Sequence, residues 1–91
     1  MQLSDIPLHT PDVVGRLLGE EAVLVQPQQG VVRVLNAVGA RLWELADGGR
    51  TVGELADIIA AEYDVDKERA SADALAFCED LARRGMLRLA G

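Results

Sequence analysis

The spacing of hydrophobic and polar positions changes once along this chain, and the change falls on one residue. Val31-Val32-Arg33-Val34-Leu35 is a run of β-branched and apolar residues, as a short strand requires. After Asn36 the apolar positions Val38, Leu42 and Leu45 recur at helical spacing, with Trp43 beside them. Asn36 suits the junction, because its side-chain oxygen can accept a bond from an unpaired N–H of a first helical turn. Upstream, residues 22–26 (AVLVQ) form a second strand, and Pro27-Gln28-Gln29-Gly30 is the loop of a hairpin. Residues 13–18 are either a strand with a bulge at Gly15 or a helical turn. Gly15 and the pair Val13-Val14 favour the strand.

Downstream the pattern predicts three helices. The first covers residues 36–47 and stops at Gly48-Gly49. Thr51 opens the second, and Glu54 three residues on completes a capping-box pattern; Leu55, Ile58 and Ile59 form its buried stripe. Asp66 caps a third helix over residues 67–84, on which Ala70, Ala74, Phe77, Cys78 and Leu81 fall within one stripe roughly 100° wide. Gly85 ends it, and Met86 to Leu89 is a short apolar segment that could extend against the sheet. Residues 1–11 hold two prolines and no period, so they read as a flexible lead-in to a domain over 12–91. The expected fold is α+β, winged helix-turn-helix-like: an N-terminal three-stranded antiparallel sheet followed by three helices.

Composition narrows the function classes. A chain of 91 residues supports one small core, and with 3% aromatic residues that core is aliphatic. Nine basic residues against fifteen acidic ones give a net charge of -6, which counts against nucleic acid as the main partner. Arg83, Arg84 and Arg88 form the single basic cluster, and cations at a helix C-terminus account for it. One cysteine permits no internal disulfide and suits a reducing compartment. The N-terminus has Asp5 in place of a basic region, and no apolar run is long enough for a membrane span, so a cytoplasmic location is expected.

Chemistry is hard to find. His9, the lone histidine, lies in the lead-in with no partner near it in sequence, and is expected to be exposed and incidental. Cys78 has apolar helical neighbours, as a buried small hydrophobe would. Asp64, Asp66 and Glu68 lack the glycine and terminal glutamate of a calcium loop. The glycines form no phosphate-binding fingerprint. Gly39 alone has no turn or helix stop to explain it, and close approach of another segment is the expected reason. Trp43 is expected to anchor the core. An enzyme is therefore not expected, nor a metal or cofactor.

Two binding modes remain. The second and third helices could enter a DNA groove as a winged-helix regulator, but acidic residues outnumber basic ones on the third helix. Alternatively, the edge of Val31, Val32, Arg33, Val34 and Leu35 could accept an extended peptide as an added strand. That requires the strand to be neither central nor covered by Met86 to Leu89. Proline at Val32 or Val34 should then abolish docking, with one of the two carrying its N–H to the edge.

The ordered set Gly30, Leu35-Asn36, Gly39, Leu42-Trp43-Glu44-Leu45 and Asp47-Gly48 resembles the PqqD family. So do Thr51-Val52-Gly53-Glu54-Leu55-Ala56, Tyr63-Asp64-Val65, Asp73, Phe77, Leu81 and Gly85-Met86-Leu87. The resemblance spans residues 12–89. It implies a RiPP recognition element, a winged-helix-like domain that binds the leader of a ribosomally made precursor peptide. The leader would add antiparallel to the third strand, in the groove between that strand and the third helix. The domain would present it, without chemistry of its own, to a radical SAM enzyme or to a leader peptidase. Val31 to Leu35 would be the docking edge and Asp73 a groove residue. Leu75, an apolar residue off the core stripe, is added here as a further peptide contact. The Leu35-Asn36, Gly39, Trp43 form is closer to the wider PqqD-like group, lasso peptide pathways included, than to the proteins of pyrroloquinoline quinone biosynthesis. A monomer or weak homodimer is expected, with no nucleic acid or membrane partner.

Overall fold

The computed structural model describes residues 1–90. Its elements, in chain order, are β1 (Pro7–His9), β2 (Val14–Leu18), β3 (Glu21–Gln26), β4 (Val31–Leu35), α1 (Ala37–Leu45), α2 (Val52–Tyr63), α3 (Lys67–Arg83) and β5 (Leu87–Leu89). Strands β2, β3 and β4 form an antiparallel three-stranded sheet in that order. The expected fold class is the observed one, and the strand called third from the sequence is the fourth in the chain.

Local chemistry sets the helix ends. The Asn36 side chain accepts from the Gly39 N–H at 2.9 Å, and the Asp66 side chain from the Arg69 N–H at 2.9 Å. The capping box at Thr51 and Glu54 closes in both directions, at 3.1 and 2.9 Å. Asp64 ends α2 in the left-handed conformation with φ 53°. No bulge forms in β2, whose register with β3 is continuous. Gly15 has a different purpose there: a Cβ at that position would stand 2.6 Å from Trp43 Nε1. Gly15→Ala forces a methyl against a rigid indole, and should cost about 1–3 kcal/mol in urea unfolding without changing the folded circular dichroism.

The core is aliphatic. Leu24, Leu35, Leu42, Leu55, Leu81 and Met86 are buried between the inner face of the sheet and the helices, with Trp43 at 5% exposure. Buried Gln26 uses its amide to reach the Arg84 carbonyl at 3.3 Å, joining the end of β3 to the last turn of α3. A bidentate pair between Arg41 and Glu62, at 2.8 and 2.7 Å, fastens α1 to α2. The hydrogen bond from Arg41 holds the Glu62 carboxyl below its ordinary value. Within residues 1–90, no helix is long and apolar enough to cross a membrane.

The lead-in, expected to lack regular structure, is paired into the fold. Strand β1 pairs antiparallel with β5 as a separate two-stranded sheet. Leu3 and Asp5 offer their carbonyls to the Gly53 and Val52 N–H groups at the start of α2, each at 2.9 Å. Pro7 does the same for Gly48 at 3.0 Å. Residues 87–89 thus pair with the N-terminal strand and not with the three-stranded sheet. His9 is not incidental either. Its ring stacks on Trp43 with centroids 3.6 Å apart and 3° between planes, and its Nε2 bonds the Trp43 carbonyl.

Candidate functional site: the edge of β4 and the groove beside α3

Strand order places β4 at an edge of the sheet, and among the described residues no strand pairs with its outer side. Which of its peptide groups face outward follows from the turn chemistry. Gly19 and Glu20 alone join β2 to β3, and Gly19 has φ 66°, so Leu18 and Glu21 are the hydrogen-bonded pair that closes a two-residue hairpin. Peptide groups alternate in direction along a strand, so Glu21, Val23 and Val25 turn toward β2, and Ala22, Leu24 and Gln26 toward β4. Their partners Leu35, Arg33 and Val31 use their N–H and C=O groups inside the sheet. Val32 and Val34 therefore both present their N–H and C=O to the open edge. The expectation that only one of them does so is corrected here, because the two share the same parity.

Side chains alternate the other way. Leu35 is buried and Arg33 half-buried on the inner face, while Val32 and Val34 are exposed on the outer one. Arg33 reaches across to α3 and bonds Asp80 at 2.7 Å, so one end of the space between β4 and α3 is closed by an ion pair. Toward the other end lies a concavity of about 280 Å³ lined by Asn36, Val38, Gly39, Leu42, Asp73 and Phe77. A second concavity, of about 390 Å³, shares Val38 and Asp73 with it and is otherwise lined by Ile59, Asp64, Val65, Asp66, Arg69 and Ala70. An open strand edge thus runs beside an apolar groove with a polar rim.

Of the residues singled out from the sequence, Val31 to Leu35 form the strand with the open edge, and Asp73 lines the concavity beyond its Asn36 end. Leu75 does not: it lies two residues from Asp73, about 200° around the helix, and packs half-buried against the core. Sequence reasoning missed Phe77 and Asp80 as groove residues. Phe77 was counted as core, and it does pack half-buried against the core, but it lines the groove as well. Asp73, Phe77 and Asp80 follow one another at spacings of four and three, so the shared face was readable once Asp73 was placed on it. Gly39 also gains a reason. A Cβ there would stand 3.3 Å from Asn36 Oδ1 and 3.4 Å from the Phe77 ring, so glycine keeps the cap and the groove wall close together. The approaching segment is a side chain and not a backbone.

Cys78 is fully buried, and burial pushes its thiol up to about 11. At pH 8 the thiolate is then about a thousandth of the total, so Ellman's reagent should label native protein negligibly and the guanidinium-unfolded chain at once. Among the described residues, no three His, Cys, Asp or Glu side chains gather as a metal set.

The model of the family described as "Coenzyme PQQ synthesis protein D (PqqD)" matches residues 21–87, which takes in β3, β4 and all three helices. The chain belongs to the PqqD family. Among curated PqqD relatives, the "PqqA binding protein" of Rhodopseudomonas palustris (strain HaA2) is 31% identical over 65 residues, 71% of this chain and 62% of that protein. That of Bradyrhizobium diazoefficiens matches at 31% identity over 65 residues, 71% of this chain and 61% of its own length. The chain thus spans about three fifths of the curated PqqD relatives it matches. Among solved structures, TbiB1 in complex with the TbiA(beta) leader peptide superposes with a TM-score of 0.82 at 34% identity, over 89% of this chain and 94% of TbiB1. The PqqD truncation of Methylobacterium extorquens PqqCD, described as a stand-alone RiPP recognition element, gives 0.79 at 28% identity, over 96% and 93%. A lasso peptide synthetase B1 complexed with its leader peptide shares the fold, with a TM-score of 0.81 at 22% identity over 91% and 98%.

Proposed function

We propose that this chain is a leader-peptide-binding recognition element. It takes up the leader of a ribosomally made precursor peptide as an extra antiparallel strand on β4. The observation that carries this reading is the open edge at Val32 and Val34 beside the groove of Phe77, Val38 and Leu42, in a fold shared with a protein solved bound to a leader peptide. Main-chain hydrogen bonds supply the affinity, and pockets for alternate side chains supply the choice. The protein performs no chemistry. It holds the precursor for a modifying enzyme of the radical SAM type or for a leader peptidase, in the cytoplasm. The other edge of the sheet, β2, is also open, but it lines neither of the two concavities described above.

The competing winged-helix reading fails on charge. Arg33, Arg83 and Arg84 all surround Asp80, and at the other end of α3 Lys67 and Arg69 pair with Asp57 and Asp73, beside Asp66 and Glu68. Labelled PqqA, TbiA(beta) leader and a duplex DNA should be titrated in fluorescence anisotropy at roughly 50 and 200 mM salt, where DNA binding through several phosphates falls by orders of magnitude and strand addition changes little. A leader peptide should bind, with an affinity that changes less than about tenfold between the two salts. Micromolar DNA binding with no peptide binding overturns the proposal. Sedimentation without and with peptide reads the oligomeric state, and a dimer that peptide dissociates would mean that a second copy occupies the edge in its absence.

A further inference from the structure

The groove carries opposite charges at its two ends, in a protein whose overall charge is -6. At the end near Val31, the carboxylate of Asp80 is met by three guanidinium groups: Arg33 at 2.7 Å, Arg84 at 3.1 Å and Arg83 at 3.8 Å. One carboxylate against three cations leaves an excess of two positive charges. Arg33 Nε is buried there with no hydrogen-bond partner among the described residues. Glu79, the next carboxylate on α3, does not neutralise this end, because it turns to the Met1 amine at 3.2 Å. At the other end, Asp73 lines the concavity beside Asn36, and Asp64, Asp66 and Arg69 line the neighbouring one that shares Asp73, with Arg69 3.8 Å from Asp73. That end has an excess of two negative charges. The dipole of α3 opposes both with about half a charge at each terminus, too little to cancel either.

Helix α3 runs antiparallel to β4, since Arg33 meets Asp80 while Asn36 and Gly39 share a pocket with Phe77 and Asp73. A peptide antiparallel to β4 therefore enters with its N-terminal part at the acidic end and leaves past the arginines. Along α3 the rise from Asp73 is about 10 Å to Asp80 and about 16 Å to Arg84. An extended peptide covers that distance in about three to five residues, and its positions i, i+2 and i+4 face the same side. Phe77 and the apolar floor lie between the two ends.

We propose that the groove selects leader segments by the order of their charges. The preferred segment has a Lys or Arg, a large apolar residue two positions later, and an Asp or Glu two positions after that. The inference rests on strand addition at β4, and gives that reading a direction and a ligand chemistry. The ion pairs are solvent-facing, so they discriminate between segments and supply little of the total affinity.

The test pans a phage-displayed library of random twelve-residue peptides against the full chain, against a charge-swapped variant (Asp73→Lys, Arg83→Glu, Arg84→Glu) and against Val34→Pro. Circular dichroism checks that each is folded. Basic-before-acidic segments should be enriched over the reverse order by about tenfold on the full chain, as two gained and two avoided surface pairs allow. The swapped variant should invert the preference, and Val34→Pro should retain neither class. Enrichment that ignores charge order on the full chain overturns the polarity while leaving strand addition intact. Peptides held equally by Val34→Pro, or a selection that yields none, overturn strand addition and the polarity with it.

Discussion

Val34→Pro should lower leader-peptide affinity by about a hundredfold while leaving the helices and the core intact. The N–H of Val34 points to the open edge, so proline removes a donor that the sheet itself does not use. A leader carbonyl aligned with it then loses its partner, and the ring holds the incoming backbone off the strand. Val32→Pro should act in the same way, because Val32 shares the parity of Val34. Arg33→Pro is the contrasting case, since its N–H serves the pair with Leu24 inside the sheet. That variant should lose stability first and binding only as a consequence. Anisotropy for binding and a thermal melt for folding separate the three. Were Val32→Pro and Val34→Pro both to fold and to bind normally, the peptide would dock elsewhere, and the open edge of β2 would be next.

Trp43→Ala should cost about 3–5 kcal/mol of folding stability, as truncation of a buried large side chain does. A domain of this length has about 5–15 kcal/mol in all, so the loss is a large fraction of the total. The indole is 5% exposed, fills the space that Gly15 leaves open, and carries the His9 ring on its face. Its removal therefore loosens the lead-in as well as the core. The melting temperature should fall by more than about 12 °C, at about 4–8 °C per kcal/mol for a domain of this size. Amide exchange in β1 should rise further than in α2. A melt within two degrees of the parent, with peptide binding lost, would instead make Trp43 a ligand platform.

Helix starts and the β3–β4 hairpin were legible because their causes are local, whereas α1 ends at Leu45, before the Gly48-Gly49 stop expected for it, since Asp47 bridges to Leu8. Asn36, Thr51 with Glu54, and Asp66 each act within three residues of their own position, and the Gly30 turn leaves little freedom of register. The β1–β5 sheet was not legible. Pro7–His9 and Leu87–Leu89 are three residues each, too short for a period, and each gains a partner only through the rest of the fold. His9 was misjudged for the same reason, since its partner Trp43 is 34 positions away. Phe77 packs against the core as its place on the stripe predicts, but it sits at the margin of that stripe, where a residue can also wall a groove. Leu75 shows the opposite error, an apolar residue off the stripe that packs half-buried against the core. The open state of β4 could not be read from composition at all, because it depends on where residues 87–89 go.

The β1–β5 pairing also bears on how the chain folds. Its residues are roughly 80 apart in sequence, whereas β2, β3 and β4 are joined by turns of two and four residues. Closing the long loop costs more chain entropy than closing either turn, and the cost grows with the logarithm of loop length. The hairpins can thus assemble while β1 and β5 are still searching for each other. The edge on which a precursor would dock is accordingly among the first parts of the molecule to acquire its shape, and the clasp between the two ends is among the last.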